Sequence, residues 1–289
     1  MCSPEIMVRV ADVSRRNFLK QTAALGVAAG AVHLGASGSL AQNATPVATP
    51  VSGPATFSFG PFTQVTDLTH VWGPDFPVFA GATSAVFENL ATVDSGGYYN
   101  NLLTYEEHTG THMDAPAHFD ADGLTADLLP IANFFAPLVV INIAARAETD
   151  PDAQGTPDDI TAWEATNGPI PAGSFVALYS GWESRLSDPA TFVNLDDAGV
   201  QHYPGWHGEA AALLVNERDI VGAGVDTLSL DYGPSADFIS HLTFLPGGKY
   251  GIENLANLGT IPALGASIIV GGPKHIAASG GPTRAYAVT

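Results

Sequence analysis

Residues 107–118 read Glu-His-Thr-Gly-Thr-His-Met-Asp-Ala-Pro-Ala-His, and this run restricts the fold more than any other segment of the chain. Histidines fall at 108, 112 and 118 and an aspartate at 114, all even positions. On an extended backbone alternate side chains point to one face, so the four groups share a side. A helix would bring His108 and His112 together but scatter Asp114, and Pro116 would break it. Gly110 and Pro116 occupy the same face without bulk and leave space between the polar groups. The run therefore predicts extended chain carrying three imidazoles and a carboxylate on one side. Singly, each histidine reads as an ordinary surface or hydrogen-bonded core residue; three within eleven residues, of nine in the chain, form a cluster. Neutral imidazole and carboxylate oxygen are ligands for zinc and manganese. The only cysteine is Cys2, which removes a disulfide framework, a thiolate metal site and a cysteine nucleophile from the body of the chain.

The chain has 289 residues, 46% hydrophobic and 13% charged, enough to build a sizeable core. Ten Lys plus Arg face 29 Asp plus Glu, a formal charge of −19. That balance argues against nucleic acid as a partner, since phosphate binding needs clustered basic side chains, and against stable docking on an anionic membrane. Residues 14–20, SRRNFLK, resemble a twin-arginine export signal. An Ala- and Gly-rich run follows to Leu40, too diluted by Gly, Ser and His33 for a membrane anchor. Ser39-Leu40-Ala41 offers a small-x-small cleavage site. The expected organisation is a removed signal over 1–41, a flexible Pro/Thr/Ala-rich tether over 42–56 and a folded domain over 57–289. Its expected location is periplasmic or extracellular.

Within the body, 65–72, 84–93, 96–108, 138–145, 174–182, 221–230 and 266–272 read as strands. Thr156 as N-cap, Pro157 at the first helical position and Gly168 near the stop bound one helix. Residues 204–219 supply another, with Ala211, Leu214 and Val215 spaced for one face. Strands alternating with helices after a β-rich start predict a single α/β domain with a mixed sheet and flanking helices. There is no G-x-S-x-G elbow to support a serine nucleophile. His70 suits a hydrogen-bonded role near the opening loop, His202 a loop and His207 a helix entry. Asp226 suits equally a partner to a ligand histidine or a strand-end turn. Trp182 and Trp206 are core candidates as much as pocket walls.

His108 to His118, HTGTHMDAPAH, resembles the signature H-x-G-T-H-x-D-x-P-x-H of the cyclase family of metal-dependent hydrolases, which includes bacterial kynurenine formamidases and isatin hydrolases. DLTHVWGPDFPVFAG at 67–81, Gly224-Val225-Asp226-Thr227-Leu228-Ser229, and His241 twelve residues before Glu253 are similar to further family motifs. The resemblance implies a swivelling β/β/α fold. It implies that His108, His112 and Asp114 hold one ion, that Asp114 bridges to a second bound by His241, and that Glu253 touches both. The ions would be Zn2+ or Mn2+, one or two per chain; some isatin hydrolases carry Gln at the Glu253 position and hold one. His118 matches the general acid/base, with metal-bound hydroxide as nucleophile. The implied reaction is hydrolysis of an amide, formamide or lactam C–N bond in a small molecule, with a lactone hydrolase or an idle metal- or ligand-binding protein as alternatives. Phe79 and Ala80 replace the Trp and Pro of the kynurenine formamidases. Phe79 and Trp72 are expected to contact an aromatic substrate. Lys249, between His241 and Glu253, is expected either near a carboxylate product or in an exposed turn. The resemblance also implies a homo-oligomer, dimer or tetramer.

Overall fold

The computed structural model describes residues 62–289, so the expected export signal (1–41), the expected tether (42–56) and the first residues of the expected domain lie outside the described residues. The chain divides into two compact units. Of the described residues, one comprises Glu88–Leu102 and the other 62–87 with 103–289.

Thirteen strands are present among the described residues: β1 (Val65–Asp67), β2 (Val86–Ala91), β3 (Asn100–Thr104), β4 (His112–Asp114), β5 (Phe135–Asn142), β6 (Gln154–Gly155), β7 (Phe175–Tyr179), β8 (Gly205–Trp206), β9 (Gly222–Val225), β10 (Tyr250–Glu253), β11 (Ala266–Gly271), β12 (Gly280–Pro282) and β13 (Arg284–Val288). Nine form one mixed sheet in the order β1-β13-β11-β5-β7-β9-β10-β4-β12. Within this sheet the run β5-β7-β9-β10 is parallel and every other pairing is antiparallel. The parallel strands are apolar on both faces, as strands covered on both sides must be. Leu138, Val140, Phe175 and Ala177 enter one core with Met113, Ile252 and Ile268. Val139, Ile141, Val176 and Leu178 enter the other.

Two helices cover that second face, α1 (Pro157–Asn167) through Ile160 and Trp163, and α2 (Gly208–Glu217) through Ala210, Ala211 and Leu214. Thr156 caps α1 and Pro157 opens it, as the sequence predicts; the Thr156 hydroxyl accepts from the Asp159 amide, and the Asp159 carboxylate in turn accepts from the Thr156 amide. His207 caps α2, its Nδ1 accepting from the Glu209 amide. The mixed sheet with flanking helices is the expected fold.

β6, β8, β10, β12 and β13 are not among the strands read from sequence. Gly280, Gly281 and Pro282 carry turn character, yet β12 sits at the sheet edge, where Pro and Gly are tolerated. β2 and β3 form a separate two-stranded sheet, joined through a helical turn at Val93–Gly96 that Thr92 and Ser95 close as a capping box.

Candidate metal centre

β4 lies between β10 and β12, with Glu253 directly opposite His112 and Gly251 opposite Asp114. Alternation sends Met113 into the core while His112 and Asp114 project from the other side. Gly251 leaves the lane beside Asp114 open: a β-carbon there would lie 2.7 Å from Leu230 and 3.4 Å from the Asp114 Cβ. Three residues of a metal centre thus come from cross-strand register alone.

The extended reading of 107–118 holds only for 112–114. Gly110 adopts a left-handed backbone (φ 67°), and the Trp72 ring packs where a β-carbon would sit, 2.7 Å away. Only glycine meets both demands without strain. This bend, rather than strand alternation, returns His108 to the cluster. Pro116–His118 is a 3-10 turn, which swings His118 over His108 with ring centroids 3.8 Å apart.

His241 opens α3 (His241–Phe244). Its Nδ1 lies 2.7 Å from Asp231 Oδ2, which also accepts its backbone N–H. With the Nδ1 proton donated to Asp231, Nε2 presents a lone pair to the cluster. His112 is fixed in the same sense, Nδ1–H donating to Gly110 O at 2.9 Å.

The two carboxylates divide themselves between these histidines. His112 Nε2 lies 3.4 Å from Asp114 Oδ1 and 3.2 Å from Glu253 Oε2. His241 Nε2 lies 3.3 Å from Asp114 Oδ2 and 3.1 Å from Glu253 Oε1. His112 Nε2 and Asp114 Oδ2 are buried without a hydrogen-bond partner. Ligands about 2.0–2.2 Å from one ion stand roughly 3.0–3.5 Å apart, as the edges of its coordination polyhedron. The donor types, the spacing and the orphaned atoms together fit a divalent ion. Two sets of atoms lie close enough to hold one: His112, Asp114 and Glu253, and His108, Asp114 and His118.

The electrostatics agree. Burial opposes charge on His112, but the Asp114 and Glu253 carboxylates outweigh it and raise its pKa to about 10. Burial opposes charge on Asp114 too and pushes its pKa up, yet three imidazoles hold its carboxyl well below the usual range. Both directions mark a place where positive charge is stabilised. His118 behaves differently: burial pushes it down to about 4, below the near-neutral value expected of a general acid/base.

Beside the cluster lies a cavity of about 300 Å³. Phe79, Phe119, Leu228 and Phe238 supply apolar wall, and His118, Glu106 and Asn254 supply polar groups. Phe79 and Phe119 stand 6.1 and 5.7 Å from Phe238, which has a left-handed φ of 51° uncommon for a bulky residue.

Trp72 and Lys249 are not among the lining residues. Trp72 stacks edge-on with Phe87 and Tyr105 behind Gly110, supporting the bend from outside. Lys249 precedes β10, whose far end carries Glu253, so four residues of strand separate them by about 13 Å. Asp226 takes the turn role, accepting from the Ser180 amide and hydroxyl and the Trp182 amide. His202 pairs with Asp152 and Asp196, and His275 is exposed. The partner of His241 is Asp231, which its sequence neighbourhood does not mark. Phe119 follows the motif directly, and only its adjacency to His118 could have singled it out.

A histidine–carboxylate cluster of this kind on a mixed α/β sheet defines a class of metal-dependent hydrolases. The chain belongs to the family described as putative cyclase, whose model matches residues 66–232. It is 35% identical over 243 residues to an isatin hydrolase of Roseibium aggregatum, covering 78% of this chain and 91% of that protein. It is 28% identical to a kynurenine formamidase of Delftia acidovorans over 62% of this chain and 76% of the relative. An isatin hydrolase solved with the product analogue thioisatinate superimposes with a TM-score of 0.74 at 32% identity, covering 78% of this chain and 92% of that one.

Proposed function

We propose that the protein is a metal-dependent hydrolase that opens an amide, formamide or lactam C–N bond in a small aromatic molecule. The observation that carries this is the ring of His112, Asp114, His241 and Glu253, whose nitrogen and oxygen atoms face one another at 3.1–3.4 Å with Nε2 lone pairs turned inward. Similarity to an isatin hydrolase and a kynurenine formamidase supports the bond type.

The ion is zinc or manganese, since the donors suit both. Each carboxylate offers one oxygen to each histidine, a bridging arrangement that supports two ions per chain. A bound divalent ion would polarise the substrate carbonyl and bring the pKa of a coordinated water from 15.7 to about 7. The protein's own groups do the rest. The wall of Phe79, Phe119 and Phe238 holds a flat ring and keeps water out. His118 stays neutral at pH 7 because burial disfavours its charged form, so it takes a proton from the attacking water. It then passes that proton to the departing nitrogen, which cannot leave as an amide anion.

His118→Ala tests this. Metal content should be retained, because His112, Asp114, His241 and Glu253 remain, while turnover of isatin or an N-formyl arylamine falls by about 10²–10⁴-fold. A panel adding simple lactones decides the bond: lactone opening with no C–N cleavage overturns the amide assignment and leaves the metal centre standing. If nothing is turned over, the chain is a metal- or ligand-binding protein.

The chain is further proposed to leave the cytoplasm by the twin-arginine route, losing residues 1–41 and keeping 42–56 as a tether before the domain at 57–289. N-terminal sequencing of exported protein checks both boundaries. It is also proposed to form a homo-oligomer. Within Glu88–Leu102, Leu90, Val93, Tyr98, Tyr99 and Leu102 are exposed on a two-stranded hairpin, an arrangement marginal in water by itself. A monomer by sedimentation at micromolar concentration would refute it.

A further inference from the structure

Resting on the metal reading above, we infer that Ser279 and Glu107 are positioning residues, which together fix the tautomer and direction of the ligand His108. Ser279 lies more than 170 residues along the chain from Glu107, immediately before β12, and β12 pairs with β4 so that Gly280 faces Asp114. That register brings the Ser279 hydroxyl beside the imidazole.

The proton positions follow from the donors available. Glu107 Oε2 accepts from both the Ser279 N–H, at 3.0 Å, and the Ser279 hydroxyl, at 2.5 Å. A carboxylate has only lone pairs to offer, so the one hydroxyl proton of Ser279 lies toward Glu107. Ser279 Oγ is left with lone pairs alone, and it stands 3.0 Å from His108 Nε2. That nitrogen must therefore carry the imidazole proton. In the neutral ring that ligates an ion, the other nitrogen, Nδ1, holds the lone pair toward Asp114 Oδ1, 2.7 Å away, where the metal-free chain instead makes a hydrogen bond.

Two lone pairs that close repel unless a cation sits against both. His112 and His241 reach the cluster through Nε2, with Nδ1 fixed by Gly110 O and Asp231. His108 is the inverse case: Nδ1 faces inward and Nε2 is fixed from behind. Its backing group is neutral, so the negative charge of Glu107 acts on the imidazole only through the serine hydroxyl. A carboxylate behind a ligand histidine raises its basicity as a donor. Gly280 also lacks the β-carbon that would stand 2.8 Å from the His108 ring, which leaves the imidazole room beside β12.

The test is metal affinity of the full chain, with Mn2+ followed by electron paramagnetic resonance and Zn2+ by competition with a chelator. Ser279→Ala should weaken binding by about 10–100-fold, the loss usual for a partner of a metal ligand. Ser279→Thr keeps the hydroxyl and should stay within a few-fold of wild type. Glu107→Gln should weaken binding by about tenfold, and the double variant should be no weaker than Ser279→Ala, because the carboxylate acts through the hydroxyl. Melting of the metal-free proteins separates misfolding from lost affinity; should Ser279→Ala not fold, Ser279→Thr and Glu107→Gln still decide. Wild-type affinity in Ser279→Ala, or losses that multiply in the double variant, overturns the inference while the metal centre stands. A wild-type chain that binds neither ion overturns both.

Discussion

The buried carboxyl of Asp226 makes stability depend on pH in a direction opposite to that of most carboxylates. It sits at the end of β9, 1% exposed, and burial outweighs its three donors to push its pKa up to about 6. An unfolded aspartate titrates near 3.9, so the folded chain binds the proton more tightly by about 2 units, worth about 3 kcal/mol at 1.36 kcal/mol per unit. The folded pKa is the raised one. Its contribution is therefore fully present below pH 4 and lost as pH rises through 6. Other groups titrate over the same range, so the quantity to measure is a difference. Urea unfolding of wild type and Asp226→Asn, both held metal-free, isolates the Asp226 contribution at each pH. The amide cannot satisfy the Ser180 and Trp182 donors with both its atoms, which costs about 1–3 kcal/mol. Wild type should lead the variant by most near pH 4, and that lead should shrink by about 3 kcal/mol on reaching pH 7. A lead that is flat or grows with pH would refute the reasoning. It would mean that the Ser180 and Trp182 donors hold the carboxylate charged and that burial loses.

Asp231→Asn should weaken zinc or manganese binding by about 10–100-fold, because His241 loses the carboxylate that orients Nδ1; equilibrium titration reads this directly. Gly110→Ala forces a β-carbon into the Trp72 ring at a left-handed φ, and urea unfolding should show a loss of about 1–3 kcal/mol together with weaker metal binding, since Gly110 O holds His112. Chelator should lower the melting temperature, and metal added at about 100 times its dissociation constant should restore about 2.7 kcal/mol. Phe79→Ala should raise KM for an aromatic substrate more than it lowers kcat, as expected for a wall that binds ground state and transition state alike.

Residue type and spacing made the cluster at 108–118 legible, but its geometry was only half so. Alternation places His112 and Asp114 correctly because those positions are strand. It fails at both ends, where a left-handed glycine and a 3-10 turn do the work; Gly110 signals a bend, but not which way the chain returns. His241 and Glu253 carry no local pattern and entered through family resemblance. The meeting of Glu253 with His112 depends on β10 pairing with β4, a contact between segments more than 100 residues apart. Lys249 shows the converse error, since closeness in sequence to two ligands misleads when a strand carries it to the far end. Ser279 lies in Ala-Ala-Ser-Gly-Gly, where no propensity or spacing points to a metal centre.

The way the centre is built separates the proposed ligands from His118, the proposed acid/base group. His112, Asp114 and Glu253 sit on strands that pair on both sides and carry the core on their opposite face, so moving any of them means breaking sheet register or repacking Met113 and Ile252. Such rigidity suits atoms that must converge on an ion, where a displacement of a few tenths of an ångström spoils the coordination. His118 is carried instead on a 3-10 turn beyond the strand, half-buried, with its ring against His108 and Phe119 rather than locked into the sheet. A group that takes a proton from one atom and delivers it to another needs to reorient slightly between the two. The sheet therefore supplies fixed donors, and the turn carries the group proposed to move the proton. Pro116 marks the boundary: it ends the strand that the ligands require and begins the turn that His118 requires.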